Sequence, residues 1–555
     1  MCGRTRLKIL KASMAEQLSY LLKQLERLNS IGIALSAERD NNRLLEMILL
    51  GAKEITNADG GTIYTVTEDK HLKFEIMSNE TLSISLGGTT GKEIPFTPLP
   101  LYLEDGSQNL TTVAAYSVLN DRTVNIENAY EAKNFDFTGS RKFDEKTGYH
   151  SQSFLTIPMK NHEGEIIGVL QLINAIDVDT QEIIPFSAAN QSLVESLASQ
   201  AAVAMTNQNL IEGLKGLFEA FIELMAEAID QKSPYTGGHC RRVPELTMML
   251  GQAAIDTKTG PLKDFTLNEK EFYELKIAGW LHDCGKVTTP ECVMDKATKL
   301  SLIFDRIELI DQRFELLKSQ AECAMLKQQV ESLKLGHHED FARLESAQLA
   351  FIHQCNEDRE FLRQSNLGGE FMTPEDQQRV RDIAAISLLD ENGVARPFLT
   401  ENEVLNLNIV RGTLTAEERV IINNHINVTI SMLESLPYPK SLQRVPEYAG
   451  GHHERMDGKG YPKGLTREQM SVPARVMGIA DIFEALTSKD RPYKKAKTLT
   501  ESLHILGKMK LDYHIDPDLF DIFIREKIYL KYAHRFLEPE QIDVVDETKI
   551  PGYQP

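Results

Sequence analysis

From Ala188 to Asp230 the chain runs without a proline: AANQSLVESLASQAAVAMTNQNLIEGLKGLFEAFIELMAEAID. So long a stretch with no helix breaker predicts one long helix or two nearly continuous ones. It separates two unlike halves. Ahead of it, GTIYTVT, HLKFEIM, SFLTIPMK and EIIGVLQLIN are rich in β-branched and aromatic residues and bounded by Gly, Asn and Asp. These predict an α+β domain on an antiparallel sheet. Leu18, Leu21, Leu22, Leu25 and Leu28 predict a helix over about 14–55 before it. After the proline-free stretch the pattern is predominantly helical to about 530, with short loops marked by Pro and Gly. Leu193, Leu197, Ala201, Ala204 and Leu210 lie near one stripe of the long helix, suited either to pairing with a second copy of the chain or to covering the sheet.

With 555 residues the chain exceeds one ordinary domain, and 42% hydrophobic against 26% charged is a normal soluble composition. The formal charge of −20 argues against a general nucleic-acid binder, because phosphate contact relies on Lys and Arg. The longest apolar runs, such as FLTIPM, fall short of a membrane span, and MCGRTRLKILKAS lacks a signal-peptide apolar core. A cytoplasmic protein without a membrane partner is expected. The 6 cysteines form no CxxC pair. Cys284 and Cys292, in or near apolar helix, read as buried reduced thiols.

The stretch GGHHERMDGKGYPKG, Gly450 to Gly464, sets His452 beside His453. Neighbouring side chains diverge on a helix or a strand, so this pair converges only where glycine frees the backbone. Convergent imidazoles suggest a metal. Other polar residues recur on inward faces of the helical half. In FYELKIAGWLHDCGK, His282 and Asp283 follow an apolar run, and Lys286 lies one turn beyond on the same side. In TAEERVIINNHINVTI, Thr415 and Glu418 form a capping box, and His425 falls on the face of Ile421, Ile422 and Val428. Asp481 sits beside Ile479, Phe483 and Leu486 in RVMGIADIFEALTS. His239 shares a face with Val243 and Leu246, where Pro244 is expected to bend the helix or begin a new one.

Singly, each of these reads as a satisfied core residue; together they call for a dinuclear metal site. Imidazole and carboxylate without thiolate suit iron, manganese or another first-row divalent ion. Two such ions activate water for in-line attack on phosphorus. Lys286 would offset charge developing on the phosphoryl oxygens.

HDCGK at 282–286, the TAEER helix leading to His425, HHERMDGKGYP at 452–462, ADIFEALTS and the RPYK step at 491–494 resemble, in order, the motifs of the HD-GYP family. The resemblance spans roughly 216–530. It implies an all-α HD-superfamily fold, a metal-dependent phosphodiesterase of cyclic di-GMP, and two divalent ions. His239, His282, Asp283 and Asp481 would surround one ion and His425, His452 and His453 the other, with Asp283 bridging. Lys286, Arg491 and Lys494 would contact the phosphates. Asp457, Gly458, Gly460, Tyr461 and Pro462 would shape the adjoining loop, and Tyr461 would meet the substrate. Some members resemble a trinuclear arrangement that uses a glutamate four residues before the first histidine. Tyr235 stands there instead, which implies two ions. Residues 301–412 interrupt the family pattern and read as a charged helical hairpin. They contain a second His-His pair, His337 and His338, with no glycine-rich loop after it and therefore no metal role.

Residues 25–178 resemble a GAF sensory domain, through FDEKTGYHSQSFLTIPM followed by GEIIGVLQLIN. Lys142 to Glu145 are a partial NKFDE motif without its asparagine. The expected organisation is an N-terminal helix over 1–24, a GAF domain over 25–180 with a small-molecule ligand, and a connecting helix over 181–215 that pairs two chains. A phosphodiesterase domain over 216–530 and a tail over 531–555 follow. Hydrolysis of cyclic di-GMP to linear pGpG under GAF control is the leading expectation. Hydrolysis of 3',3'-cGAMP, cAMP or cGMP, and a non-catalytic receptor or scaffold, remain alternatives.

Overall fold

A computed structural model describes residues 22–232, 238–336, 341–369, 371–489 and 496–554. The chain divides into two compact units, Met1–Phe218 and Glu219–Pro555.

The first unit is built on an antiparallel sheet. Its long strands are β1 (Ala58–Val66), β2 (His71–Asn79), β6 (Phe154–Lys160) and β7 (Ile166–Ile176). The short strands β3 (Ile84–Gly87), β4 (Leu99–Pro100), β5 (Val124–Ile126) and β8 (Ile183–Ile184) fill in around them. The order is β3-β2-β1-β7-β6-β5, with β4 on β2 and β8 on β7. The four long strands are those the β-branched runs predict. The single helix expected over 14–55 is instead broken at residues 38–40 into helices over 22–37 and Asn41–Thr56. Asp40 takes the N–H of Arg43 and caps the second helix, so the chain turns there.

Asp144, in the partial NKFDE motif, is buried and accepts from Tyr130 Oη at 2.7 Å and from Ser151 N and Oγ at 2.8 and 2.7 Å. The motif thus anchors the start of β6. A cavity of about 360 Å³ lies in this unit, with aromatic walls that include Phe74, Phe96, Phe137 and Tyr149.

The long helix runs Ala188–Lys232. Leu197 and Ala201 of the expected stripe are buried against the sheet, with Leu193 and Ala204 packed at the edge of the same core. Covering the sheet therefore consumes most of that stripe. Leu210 stays outside it, 60% exposed.

The second unit is helical. Its core joins the helix His239–Asp256 to the helices Val472–Thr487, Leu499–Leu511, Pro517–Arg525 and Ile528–Phe536. Residues after 530, expected as a tail, pack into this core through Tyr532, Ile550 and Tyr553. The helix from His239 continues through Pro244 instead of restarting. Gly279 on the neighbouring helix Glu269–Leu281 makes room for the ring, since a Cβ there would meet Pro244 at 3.1 Å.

The segment over 301–412 holds the expected hairpin, as helices Ile307–Lys334 and Phe341–Asn366, followed by further short elements. It has its own core around Phe314, Leu362, Val380 and Phe398. His337 and His338 lie outside the described residues. Among the described cysteines none is in a disulfide, and Cys284 is buried as expected, whereas Cys292 is exposed.

Candidate metal centre

Five chain segments deliver the inward histidines and aspartates to one place. His239 is the first residue of its helix, and His282 ends the helix Glu269–Leu281. Asp283 opens the tight turn Cys284–Thr288. Gly285 in that turn donates its N–H to Thr429 Oγ1 at 2.9 Å and presses on the backbone at His425, where any Cβ would collide. The glycine of HDCGK therefore sets His282 and Asp283 beside His425.

The capping box of Thr415 and Glu418 is present, but the helix it starts ends at Asn423, and His425 begins a second helix, His425–Glu434. The expected face is corrected accordingly. Ile421 is 44% exposed, and His425 lies with Ile426 and Thr429.

His452 and His453 follow the helix Val445–Gly450 and converge as their glycine setting predicts. Their rings stand 4.1 Å apart, and Tyr461 stacks on His453 at 4.7 Å. Glu454, buried, accepts the N–H groups of Lys463 and Leu465 and closes the loop. Gly460 has no space for a side chain there, because a Cβ would overlap the backbone of Glu454 and Arg455. Asp457 pairs with Arg455 and holds the loop from its outer side.

Asp283 lies at the centre, 1% exposed. Its Oδ2 is 3.2 Å from His239 Nε2 and 3.2 Å from His282 Nε2. Its Oδ1 is 3.3 Å from His425 Nε2 and 3.9 Å from His452 Nε2. Asp481 Oδ1 reaches His239 Nε2 at 3.4 Å and His282 Nε2 at 3.9 Å. Two donor groups result, His239–His282–Asp283–Asp481 and Asp283–His425–His452–His453, each with its ligand atoms within 4.8 Å of one another.

The imidazoles are aimed by what holds their other nitrogen. Nδ1 of His282, His425 and His452 lies 2.8, 2.5 and 2.6 Å from the carbonyl oxygens of Gly279, Ile422 and Ala449. A carbonyl only accepts, so Nδ1 carries a proton and each ring turns its Nε2 inward. His453 Nε2 and His425 Nε2 stand 3.2 Å apart. His282 Nε2, His452 Nε2 and Asp283 Oδ1 are buried without a hydrogen-bond partner. Such unpaired acceptors are costly unless something binds their lone pairs, and a divalent cation fits each of them.

Electrostatics agree with that fit at Asp283, His452 and His453. Burial works against the Asp283 carboxylate, yet Lys286 and His282 hold its pKa well below the usual range. Burial, reinforced by neighbouring imidazoles, keeps His452 and His453 well below the usual histidine pKa, and so neutral. Burial also pulls on His239, but Glu484 and Asp283 raise it to about 10. Lys286 Nζ lies 2.5 Å from Asp283 Oδ2, and its side chain is 23% exposed.

Sequence reasoning missed Glu484. It is 1% exposed, accepts from His239 Nδ1 at 2.5 Å, and pairs with Arg242 at 2.6 Å. Burial alone would raise its pKa, but His239 and Arg242 hold it at about 2. The signal was available, because Glu484 and Asp481 in ADIFEALTS are three apart, on one side of the helix. Arg491, Lys494 and Tyr235 lie outside the described residues.

A GAF domain family model matches residues 40–205, and an HD domain family model matches residues 374–519. The second match contains His425, His452, His453 and Asp481, while His239, His282 and Asp283 precede it. The chain is similar to 3',3'-cGAMP-specific phosphodiesterase 1 of Vibrio cholerae, 36% identical over 114 residues, which are 20% of this chain and 26% of the relative. It is similar to a cyclic di-GMP phosphodiesterase of Pseudomonas aeruginosa, 36% identical over 137 residues, 24% of this chain and 32% of the relative. A cyclic di-GMP phosphodiesterase of Thermotoga maritima is 28% identical over 193 residues, 30% of this chain and 52% of the relative. The chain thus spans between about a quarter and about half the length of these relatives.

Proposed function

We propose that this chain, which carries a GAF domain ahead of a helical HD domain, is a metal-dependent phosphodiesterase of the HD-GYP type that opens a cyclic dinucleotide. The observation that carries the reading is the division of Asp283, one oxygen towards His239 and His282 and the other towards His425 and His452. A carboxylate shared in this way suits two divalent ions, and an O,N donor set without thiolate suits iron or manganese. His239, His282, Asp283 and Asp481 would hold one ion and Asp283, His425, His452 and His453 the other. Bound there, the ions would activate water and neutralise the attacked phosphodiester.

The chain's own groups do the rest. Lys286 stands beside Asp283 with part of its side chain reaching solvent, and it meets the charge that builds on a phosphoryl oxygen. Tyr461, stacked on His453, offers a face on which a base or ribose packs beside the ions. Arg491 and Lys494 supply further cations to the phosphates in this reading. Glu484 and the three backbone carbonyls keep the histidines aimed.

Cyclic di-GMP, opened to linear pGpG, is the leading substrate, and 3',3'-cGAMP is the second, because similar proteins are named for each. Turnover of a panel of cyclic di-GMP, 3',3'-cGAMP, cAMP and cGMP by protein loaded with iron or manganese tests this. Hydrolysis of a cyclic dinucleotide supports the reading, and turnover of the mononucleotides alone, or of nothing, opposes it. The aromatic cavity of the GAF domain is the place for a small regulatory ligand.

A further inference from the structure

We infer that the last turn of the helix Ala188–Lys232 holds the metal centre in shape, with Asp230 as a positioning residue for His239 and Lys232 as one for the turn that carries Asp283 and Lys286. The inference rests on the two-ion centre proposed above, and every group it uses lies in the second unit.

His239 begins its helix without a cap from its own neighbour. The N-cap is Gly238, at a φ of 95°, and it has no side chain to accept the first N–H groups. Asp230 supplies the acceptor from the end of the preceding helix. Its Oδ2 takes the N–H of Gly238 at 3.0 Å, and its Oδ1 takes that of Cys240 at 3.4 Å. These two N–H groups flank His239, so one carboxylate grips the backbone on both sides of a candidate ligand. Asp230 is buried, and a buried carboxylate is costly unless its oxygens accept hydrogen bonds. A negative group is also favoured at a helix N-terminus.

Lys232 reaches a different segment, as residues two apart on a helix do not face each other. Its Nζ donates to the carbonyls of Lys286 and Thr289 at 3.3 and 2.7 Å, and to that of Val287. An ammonium has three N–H donors, and each carbonyl can take one. The carbonyls belong to the end of the tight turn Cys284–Thr288, which Asp283 opens and on which Lys286 stands. Lys232 thereby holds the turn closed, and Lys286 keeps its ammonium on Asp283. Neither Asp230 nor Lys232 belongs to the two donor groups, so each acts through the backbone of others.

His239 serves one ion, whereas Asp283 serves both, and this difference separates positioning from a general effect on stability. The test is stepwise titration of the metal-free full chain with manganese(II) by calorimetry, on variants whose circular dichroism stays folded. Asp230→Ala should weaken one ion by about 10- to 100-fold, the range for losing a partner behind a metal ligand, and spare the other. Lys232→Met should weaken both, and Lys232→Arg, which keeps donors for the carbonyls, should recover part of that loss. Asp230→Ala added to His239→Ala should cost nothing further. Asp230→Asn, which loses the charge and one acceptor oxygen, should show the same selective loss to a smaller degree, and it decides alone if the alanine variant does not fold. Wild-type affinities in Asp230→Ala, equal losses at both ions, or a further loss in the His239→Ala chain would overturn the role of Asp230. Wild-type affinities in Lys232→Met would overturn that of Lys232. Turnover is not read, so a chain that binds two ions and hydrolyses nothing opposes the hydrolase reading alone.

Discussion

Gly285 lies so close to His425 that a Cβ on it would collide with the His425 carbonyl oxygen and with the backbone nitrogen of Thr429. One glycine thus fixes the spacing between the two halves of the candidate metal centre. Gly285→Ala forces the turn and the helix apart, and overpacking of this kind costs about 1–3 kcal/mol. The denaturation midpoint should fall, with weaker metal uptake at both donor groups. An unchanged midpoint and full metal content would contradict the packing argument.

Glu484→Gln keeps the shape of the side chain and removes the charge that faces His239 and Arg242. Loss of a partner behind a ligating histidine lowers metal affinity by about 10- to 100-fold. Titration of metal-free protein should show that drop, and wild-type affinity would mean Glu484 serves only packing.

The two His-His pairs should behave oppositely. His452→Ala or His453→Ala should remove metal and activity together, because both rings converge beside Asp283. His337→Ala and His338→Ala should leave both unchanged. Equal losses at the two pairs would overturn the reading of the glycine-rich loop.

How much of this was legible in the sequence follows physical lines. The four long strands and the long helix follow from β-branched runs and from missing proline, which act locally. His239, His282, Asp283, His425 and Asp481 stood out as polar residues on expected inward faces, and His452 and His453 as a pair flanked by glycine. Glu454 and the carbonyls of Gly279, Ile422 and Ala449 did not, because their roles depend on where a helix ends to within one residue. The break at Asn424 was hidden because a continuous helix and two abutting helices share one periodicity. Leu193 to Ala204 could serve a sheet or a partner equally well by spacing, and only the packing of Leu197 and Ala201 decides it.

Lys299 predicts a pH response. It is 1% exposed, and its Nζ donates to the Leu407 carbonyl at 2.9 Å, tying the inserted segment to the chain before it. Burial lowers its pKa to about 8, against about 10.4 in an unfolded chain. Between those values the unfolded state binds more protons, so this group makes stability rise with pH from about 8 upward, and the penalty of burying its charge is complete below about 8. Lys299→Met should remove that rise. Parallel stability profiles for the two proteins over this window would contradict the assignment.

The most direct test of the shared Asp283 is metal content per chain, measured alongside a time course of products from cyclic di-GMP. Two ions per chain are expected, with linear pGpG accumulating before any mononucleotide. By the resemblance to the HD-GYP family, Tyr235, outside the described residues, replaces the glutamate of a three-ion centre, and a phenol with a pKa of about 10 is a poor ligand for a hard cation. One ion per chain, three tightly held ions, or mononucleotide formed without accumulation of the linear dinucleotide would contradict a centre of two ions bridged by Asp283.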